Sequence, residues 1–176
     1  MTEILKTNRE SVRIKAAFIT IQVGFNFGSV LQTIATSHLL KKNEMDPICV
    51  NYIPPRATFK RYWKDGCKNL SKLIRRMLFF PFYYKANNNF YGYLAKHCSL
   101  SHKIYAEDKF VDVCPKADLY ITGSDQTWNY KHNEGIDKHY FFNGIMGKKV
   151  AFSSSIGMNS VPEDYFSYMQ KALSEY

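Results

Sequence analysis

The chain has 176 residues, 45% of them apolar and 16% aromatic, which is enough for one folded domain and excludes a disordered polymer. Its formal charge of +9 is uneven: between Arg56 and Lys85 nine basic residues face one acid, Asp65, and the remainder is close to neutral. Global basicity therefore does not argue for a nucleic-acid partner, and none is expected.

Residues 1–11 read as an N-terminal tail, charged throughout and without the apolar core of a secretory signal. With no apolar stretch near the roughly 20 residues that span a bilayer, a cytoplasmic location is expected. From residue 12 a single domain follows. VRIKAAFITIQ at 12–22 is rich in β-branched and aromatic residues and predicts a strand, which stops at VGFNFG. SVLQTIATSHLLKK at 29–42 repeats Val30, Leu31, Ile34, Ala35, His38 and Leu39 at three- and four-residue steps, predicting a helix buried on that face. PICVNYI at 47–53 reads as a second buried strand, ended by Pro54-Pro55. Strand, helix, strand in this order is a βαβ unit and predicts an α/β fold on a parallel sheet.

Residues 56–97 form a basic helical insertion. At 100° per residue, Trp63, Cys67, Leu70, Ile74 and Met77 share one arc of a helix over 61–80, opposite Lys64, Lys68, Lys72, Arg75 and Arg76. A surface helix with a solvated cationic face would look like this. So would a peripheral contact with the anionic inner face of a membrane, since such helices combine cations with adjoining aromatics.

ADLYITG at 117–123 and KKVAFSSSIG at 148–157 are two further short apolar runs, each ending in a loop of small polar residues. Pro162 to Tyr176 reads as a helix, with Pro162 near its first turn and Glu163 and Asp164 beside the positive end of its dipole. Its pattern is unfinished at Tyr176, so the chain reads as the N-terminal part of a longer design. The four cysteines and five histidines are scattered without metal-ligand spacing, which predicts inert thiols and no metal.

Chemistry concentrates in three loops. In GFNFGS, Gly24 and Gly28 allow a tight turn, and Ser29 can cap the helix beside N–H groups that would hold an anion. The spacing matches neither a dinucleotide fingerprint nor a P-loop, and a structural turn explains it equally well. In TGSDQTWN, Asp125 suits a general base or an orienting group for a sugar hydroxyl, Trp128 a stacking platform and Asn129 a further hydrogen-bonding group. Alternatively Ser124 or Asp125 caps a turn and Trp128 fills the core. The third loop, SSSIG, repeats the small polar pattern. In an open parallel sheet all three lie at the carboxyl edge, where ligands bind.

NFGSVLQTIATSHLL at 26–40, ITGSDQTWN at 121–129 and KKVAFSSSIG at 148–157 together resemble the N-terminal half of the polysaccharide pyruvyl transferase family. The likeness runs over residues 14–160, and the combination is more specific than any one piece. It implies a Rossmann-like domain, one half of a GT-B-like two-domain architecture. It also implies transfer of a pyruvyl group from phosphoenolpyruvate to two hydroxyls of an oligosaccharide or lipid-linked glycan, as a ketal in surface polysaccharide biosynthesis. Carried over by position, the matching residues are Asn26, Gly28, Ser29, Gln32, Gly123, Ser124, Asp125, Trp128, Asn129, Ser155 and Gly157, with Asp125 the candidate base and the others substrate-binding. The chemistry requires no metal and no cofactor beyond the donor. Members of that family are longer, and the second domain, expected to supply much of the donor site, has no counterpart in this sequence. A nucleotide-sugar glycosyltransferase of similar architecture, and a non-catalytic interaction module that keeps the cleft wall, are the competing readings.

Overall fold

The computed structural model describes residues 13–24 and 26–176. The expected N-terminal tail and Phe25 of the first loop lie outside the described residues. The fold is α/β. Four parallel strands, β1 (Ile14–Ile19), β2 (Met45–Cys49), β5 (Leu119–Asp125) and β6 (Lys148–Ser154), form a sheet in the order β2-β1-β5-β6. The chain leaves β1 through helix α1 (Phe27–Lys42), adds β2 on one side, and returns to β1's other side with β5. The order reverses between β1 and β5, and that reversal opens the crevice where ligands bind in sheets of this kind.

β1 is central and apolar on both faces, as a strand covered on both sides must be. Register and alternation divide its side chains between two cores. Phe18 and Ile121 pair and face α1, packing with Ala16, Cys49 and Leu40. Ala17 and Tyr120 pair and face the other side, where Ile19 joins them. That second core is closed by Phe110 of the short helix α4 (Phe110–Val113), by Tyr140, Phe141 and Phe142 and by Tyr165, Met169 and Ala172 of α5 (Glu163–Leu173). β2 tolerates Pro47 because it is an edge strand, where a missing N–H costs no ladder bond.

Four expectations are corrected. The single strand over 47–53 is divided: β2 ends at Cys49, and β3 (Tyr52–Ile53) pairs instead with β4 (Ile104–Tyr105) in a separate two-stranded sheet. Buried Asn51 makes the turn between them, with its N–H donating to Ser101 Oγ at 3.0 Å.

The buried face of α1 is the one carrying Ser29, Val30, Thr33, Thr36, Ser37 and Leu40, while Leu31 and Leu39 point outward. Small hydroxyl side chains let the helix lie close to the sheet, and Thr33 satisfies its own hydroxyl on the Ser29 carbonyl at 2.8 Å. Ser29 is not the cap. Asn26 takes that role, its Oδ1 accepting from the Gly28 and Ser29 N–H groups.

The basic helix over 61–80 is two helices, α2 (Phe59–Gly66) and α3 (Leu70–His97), with Asn69 capping the second. The break resets the helical phase, so Leu70, Ile74 and Met77 are exposed rather than buried. Two of the expected surface cations are engaged within the hairpin. Lys68 pairs with Asp65 at 2.8 Å, and the Arg76 guanidinium lies 4.7 Å from the Tyr62 ring centroid. Tyr62 also donates to the Arg76 carbonyl, and it stacks on Tyr83 at 4.2 Å. α3 runs through Pro81, which stands on the exposed side, where the carbonyl one turn earlier can be solvated. Its C-terminal part packs on α1 through Leu94, Phe90 and Val30.

Candidate functional site

The three polar loops meet at the carboxyl edge of the sheet and are tied to one another. Thr20, just past β1, donates to the Ser124 carbonyl at 2.5 Å and accepts from Gln32 Nε2 at 3.4 Å, bridging the first and second loops across the switch point. The Trp128 N–H donates to the Ser155 carbonyl at 3.2 Å, and the Ser155 N–H donates to the Asp125 carbonyl at 3.0 Å, joining the second loop to the third. Asn129 adds a side-chain link, donating to Gln126 Oε1 at 2.7 Å and to the Gly157 carbonyl at 3.5 Å.

The sequence-predicted residues divide by role. Asn26 and Gly28 form the exposed helix cap, Ser29 is buried beneath it, and Gln32 reaches back to the crevice. Gly123 is buried with φ +115°, and a Cβ there would lie 2.1 Å from the Phe152 carbonyl oxygen. Only glycine lets β5 approach β6 this closely. The Gly123–Ser124 peptide is cis. At Gly157 a Cβ would sit 2.3 Å from Gln126 Oε1, so a side chain would displace the Gln126–Asn129 bond.

Trp128 is a core residue. It is 7% exposed, its indole stacks on Phe141 at 5.6 Å, and its Nε1–H donates to the Tyr140 carbonyl at 3.0 Å. Of the two sequence readings for this residue the structure adopts the second, and the indole offers no face to a sugar. Tyr165 donates to the Trp128 carbonyl at 2.8 Å, pinning the loop to α5 from below.

Asp125 lies half-buried at the end of β5 with φ 92°, a conformation that costs a non-glycine residue about 1–3 kcal/mol. Its backbone carbonyl accepts from the Thr127 and Ser155 N–H groups, and its Oδ1 accepts from the Gln126 N–H at 2.7 Å. The carboxylate is thus held at the mouth of the crevice by its neighbours.

Three further residues enter the site that the sequence did not single out. Gln22, 5% exposed, donates from Nε2 to the Val50 and Tyr52 carbonyls and leaves Oε1 without a partner. His132 lies three residues past Asn129, whose Oδ1 accepts its N–H at 2.9 Å. Arg56 follows the Pro54-Pro55 turn, and its two buried Nη atoms meet no acceptor at hydrogen-bonding geometry among the described residues. The guanidinium sits close enough to Tyr140 to hold its hydroxyl down, although burial dominates and pushes that group up to about 12. His132 is held below the ordinary imidazole range, first by burial and then by the Arg56 charge, with Asp125 pulling the other way. Arg56 was visible only as one member of a basic window, and His132 only as one of five scattered histidines.

These residues line two adjoining cavities. One, of about 380 Å³, lies between the ends of β1 and β3 and helix α3, and includes Gln22, Arg56, Lys103 and His132. The other, of about 540 Å³, lies over the ends of β5 and β6, and includes Gln126, Asn129, Lys131, His132 and Gly157. His132 borders both. Together they place cations and amides around one rim, a set suited to holding a compact anion beside a polyhydroxylated molecule. No cluster of three or more histidine, cysteine or acidic side chains that could hold a metal occurs among the described residues. No family model, no curated protein and no solved structure matches this chain.

Proposed function

We propose that this chain carries the acceptor side, and part of the donor side, of a transferase that moves the pyruvyl group of phosphoenolpyruvate onto sugar hydroxyls of a surface polysaccharide. The observation that carries this reading is the convergence of three loops, distant in sequence and each resembling a pyruvyl transferase motif. They meet on one rim beside Arg56 and His132.

Two carbon–oxygen bonds form at C2 of the donor, one from each sugar hydroxyl, while the bond from C2 to the phosphate oxygen breaks. One hydroxyl proton goes to C3 and the other leaves with phosphate. Such a reaction requires a positive environment for the trianionic donor, and the buried guanidinium with the cationic rim supplies one. It also requires two hydroxyls held side by side with a base near one of them, the role assigned to Asp125. Arg56 and Lys103 would attract the donor, while Gln126, Asn129 and Asp125 would orient the acceptor.

Calorimetry with phosphoenolpyruvate, a nucleoside diphosphate and inorganic phosphate in parallel tests the donor. Heat from phosphoenolpyruvate and none from the nucleotide supports the transferase, whereas the reverse order would support a nucleotide-sugar glycosyltransferase. A turnover assay with an oligosaccharide acceptor, run on this chain and on any longer natural form, then separates an enzyme from a binding module. Inactivity of both forms would refute the proposal.

A further inference from the structure

The hairpin of α2 and α3 carries a surface that the cleft does not use. Its inner side is an aromatic core in which Trp63 packs on Phe80 at 5.0 Å and Tyr62 on Tyr83 at 4.2 Å. The outer side of α3 is apolar and faces solvent: Leu70 is 73% exposed, Ile74 51%, Leu78 68% and Phe82 70%. These four residues recur every four positions along about three turns, forming one continuous stripe. Met77 and Phe79 widen it. An exposed apolar stripe of this length marks a binding surface.

Charge identifies the occupant. α3 contains no aspartate or glutamate in 28 residues, while Lys72, Arg75 and Lys85 lie exposed along its outer half. The acid nearest in sequence, Asp65, is already bonded to Arg61 and Lys68. A second copy of this face would set cations against cations. A polynucleotide would leave the aliphatic stripe in water. We propose that the outer face of α3 lies on an anionic lipid surface, with Leu70, Ile74, Leu78 and Phe82 at the headgroup boundary and Lys72, Arg75 and Lys85 on lipid phosphates. Their long side chains can follow the apolar surface and keep their charges at headgroup level. No helix among the described residues is long and apolar enough to cross a membrane, so the contact is an in-plane one. This contact does not depend on the chemistry assigned to the cleft.

The test is co-sedimentation of the full chain with phosphatidylcholine vesicles, with and without phosphatidylglycerol. The chain is expected to pellet with the anionic vesicles and to be released by salt. Leu78→Asp combined with Phe82→Asp is expected to abolish pelleting. Arg75→Gln combined with Lys85→Gln should weaken it roughly thirty-fold, at about five-fold per charge. Lys171→Gln on α5 should leave it unchanged. Far-UV circular dichroism accompanies each variant, and if the aspartate pair unfolds, the glutamine pair decides. Equal recovery in the supernatant with either vesicle would overturn the proposal. So would a dimer dispersed by the aspartate pair, or binding to an oligonucleotide while vesicles stay free.

Discussion

Replacing Gly123 with alanine separates two costs that glycine hides in the second loop. The first is conformational: φ +115° is a region an L side chain rarely adopts, worth about 1–3 kcal/mol. The second is contact. The new Cβ would stand 2.1 Å from the Phe152 carbonyl oxygen and 2.6 Å from Ser154 Oγ, against about 3.5 Å for relaxed carbon contacts. Phe152 is the residue paired with Gly123 in the β5–β6 ladder, so relief requires the backbone of β6 to move, and overpacking of this kind adds about 1–3 kcal/mol. Gly135 is the internal control, with φ +128° and nothing within 4 Å of its Cβ position. Gly135→Ala should therefore show the first cost alone, about 1–3 kcal/mol, and Gly123→Ala the sum, about 2–6 kcal/mol. Urea titration followed by circular dichroism reads the difference directly. At a slope of about 2 kcal/mol per molar, the Gly123 midpoint should fall about 1 M below that of the Gly135 variant. Equal midpoints for the two would show that β5 and β6 are not pressed together at this loop, and the account of the rim would be wrong.

Asp125→Gly should remove the carboxylate and release the strain at φ 92° together, leaving stability unchanged or about 1 kcal/mol higher while turnover is lost. Retained turnover would remove Asp125 from the chemistry. Trp128→Ala should destabilise by about 3–5 kcal/mol, as expected for a core aromatic, and an unchanged melting temperature would contradict its placement under the rim. Because the folded state holds His132 below its ordinary range, the unfolded chain binds the proton first. Stability is therefore expected to fall as pH drops below about 6.5, and His132→Gln should flatten that dependence. Arg56→Met should raise the His132 titration midpoint and Asp125→Asn should lower it, both readable by NMR. No movement in either variant would separate the two cavities electrostatically.

What the sequence determined by itself was local. Apolar runs with β-branched residues predicted β1, β5 and β6 to within a few residues: the inner strands β1 and β5 are covered on both faces and must be apolar, while the edge strand β6 keeps a short run of its own, Val150 to Phe152. The pairing of Pro162 with Glu163 and Asp164 likewise placed α5, because the opening turn of a helix has its own chemistry. The three loops were visible as clusters of small polar residues after those strands. Their side-chain roles were not, because Asp, Asn, Ser and Trp serve turns and cores as readily as sites.

Tertiary packing decided the rest. Leucines at helical spacing in α1 pointed to the wrong face, because close approach to a sheet favours Thr33 and Ser37 over larger side chains. The supposed single amphipathic helix was cut at Asn69, and the cut turned Leu70, Ile74 and Met77 outward. Trp128 went into the core because Phe141 and the Tyr140 carbonyl, contributed by a turn twelve residues on, receive its ring and its N–H. Arg56 and His132 are 76 positions apart and became one site only when β3 and the β5 loop were brought to the same edge. Strand order is a property of the whole sheet, and no window of sequence contains it.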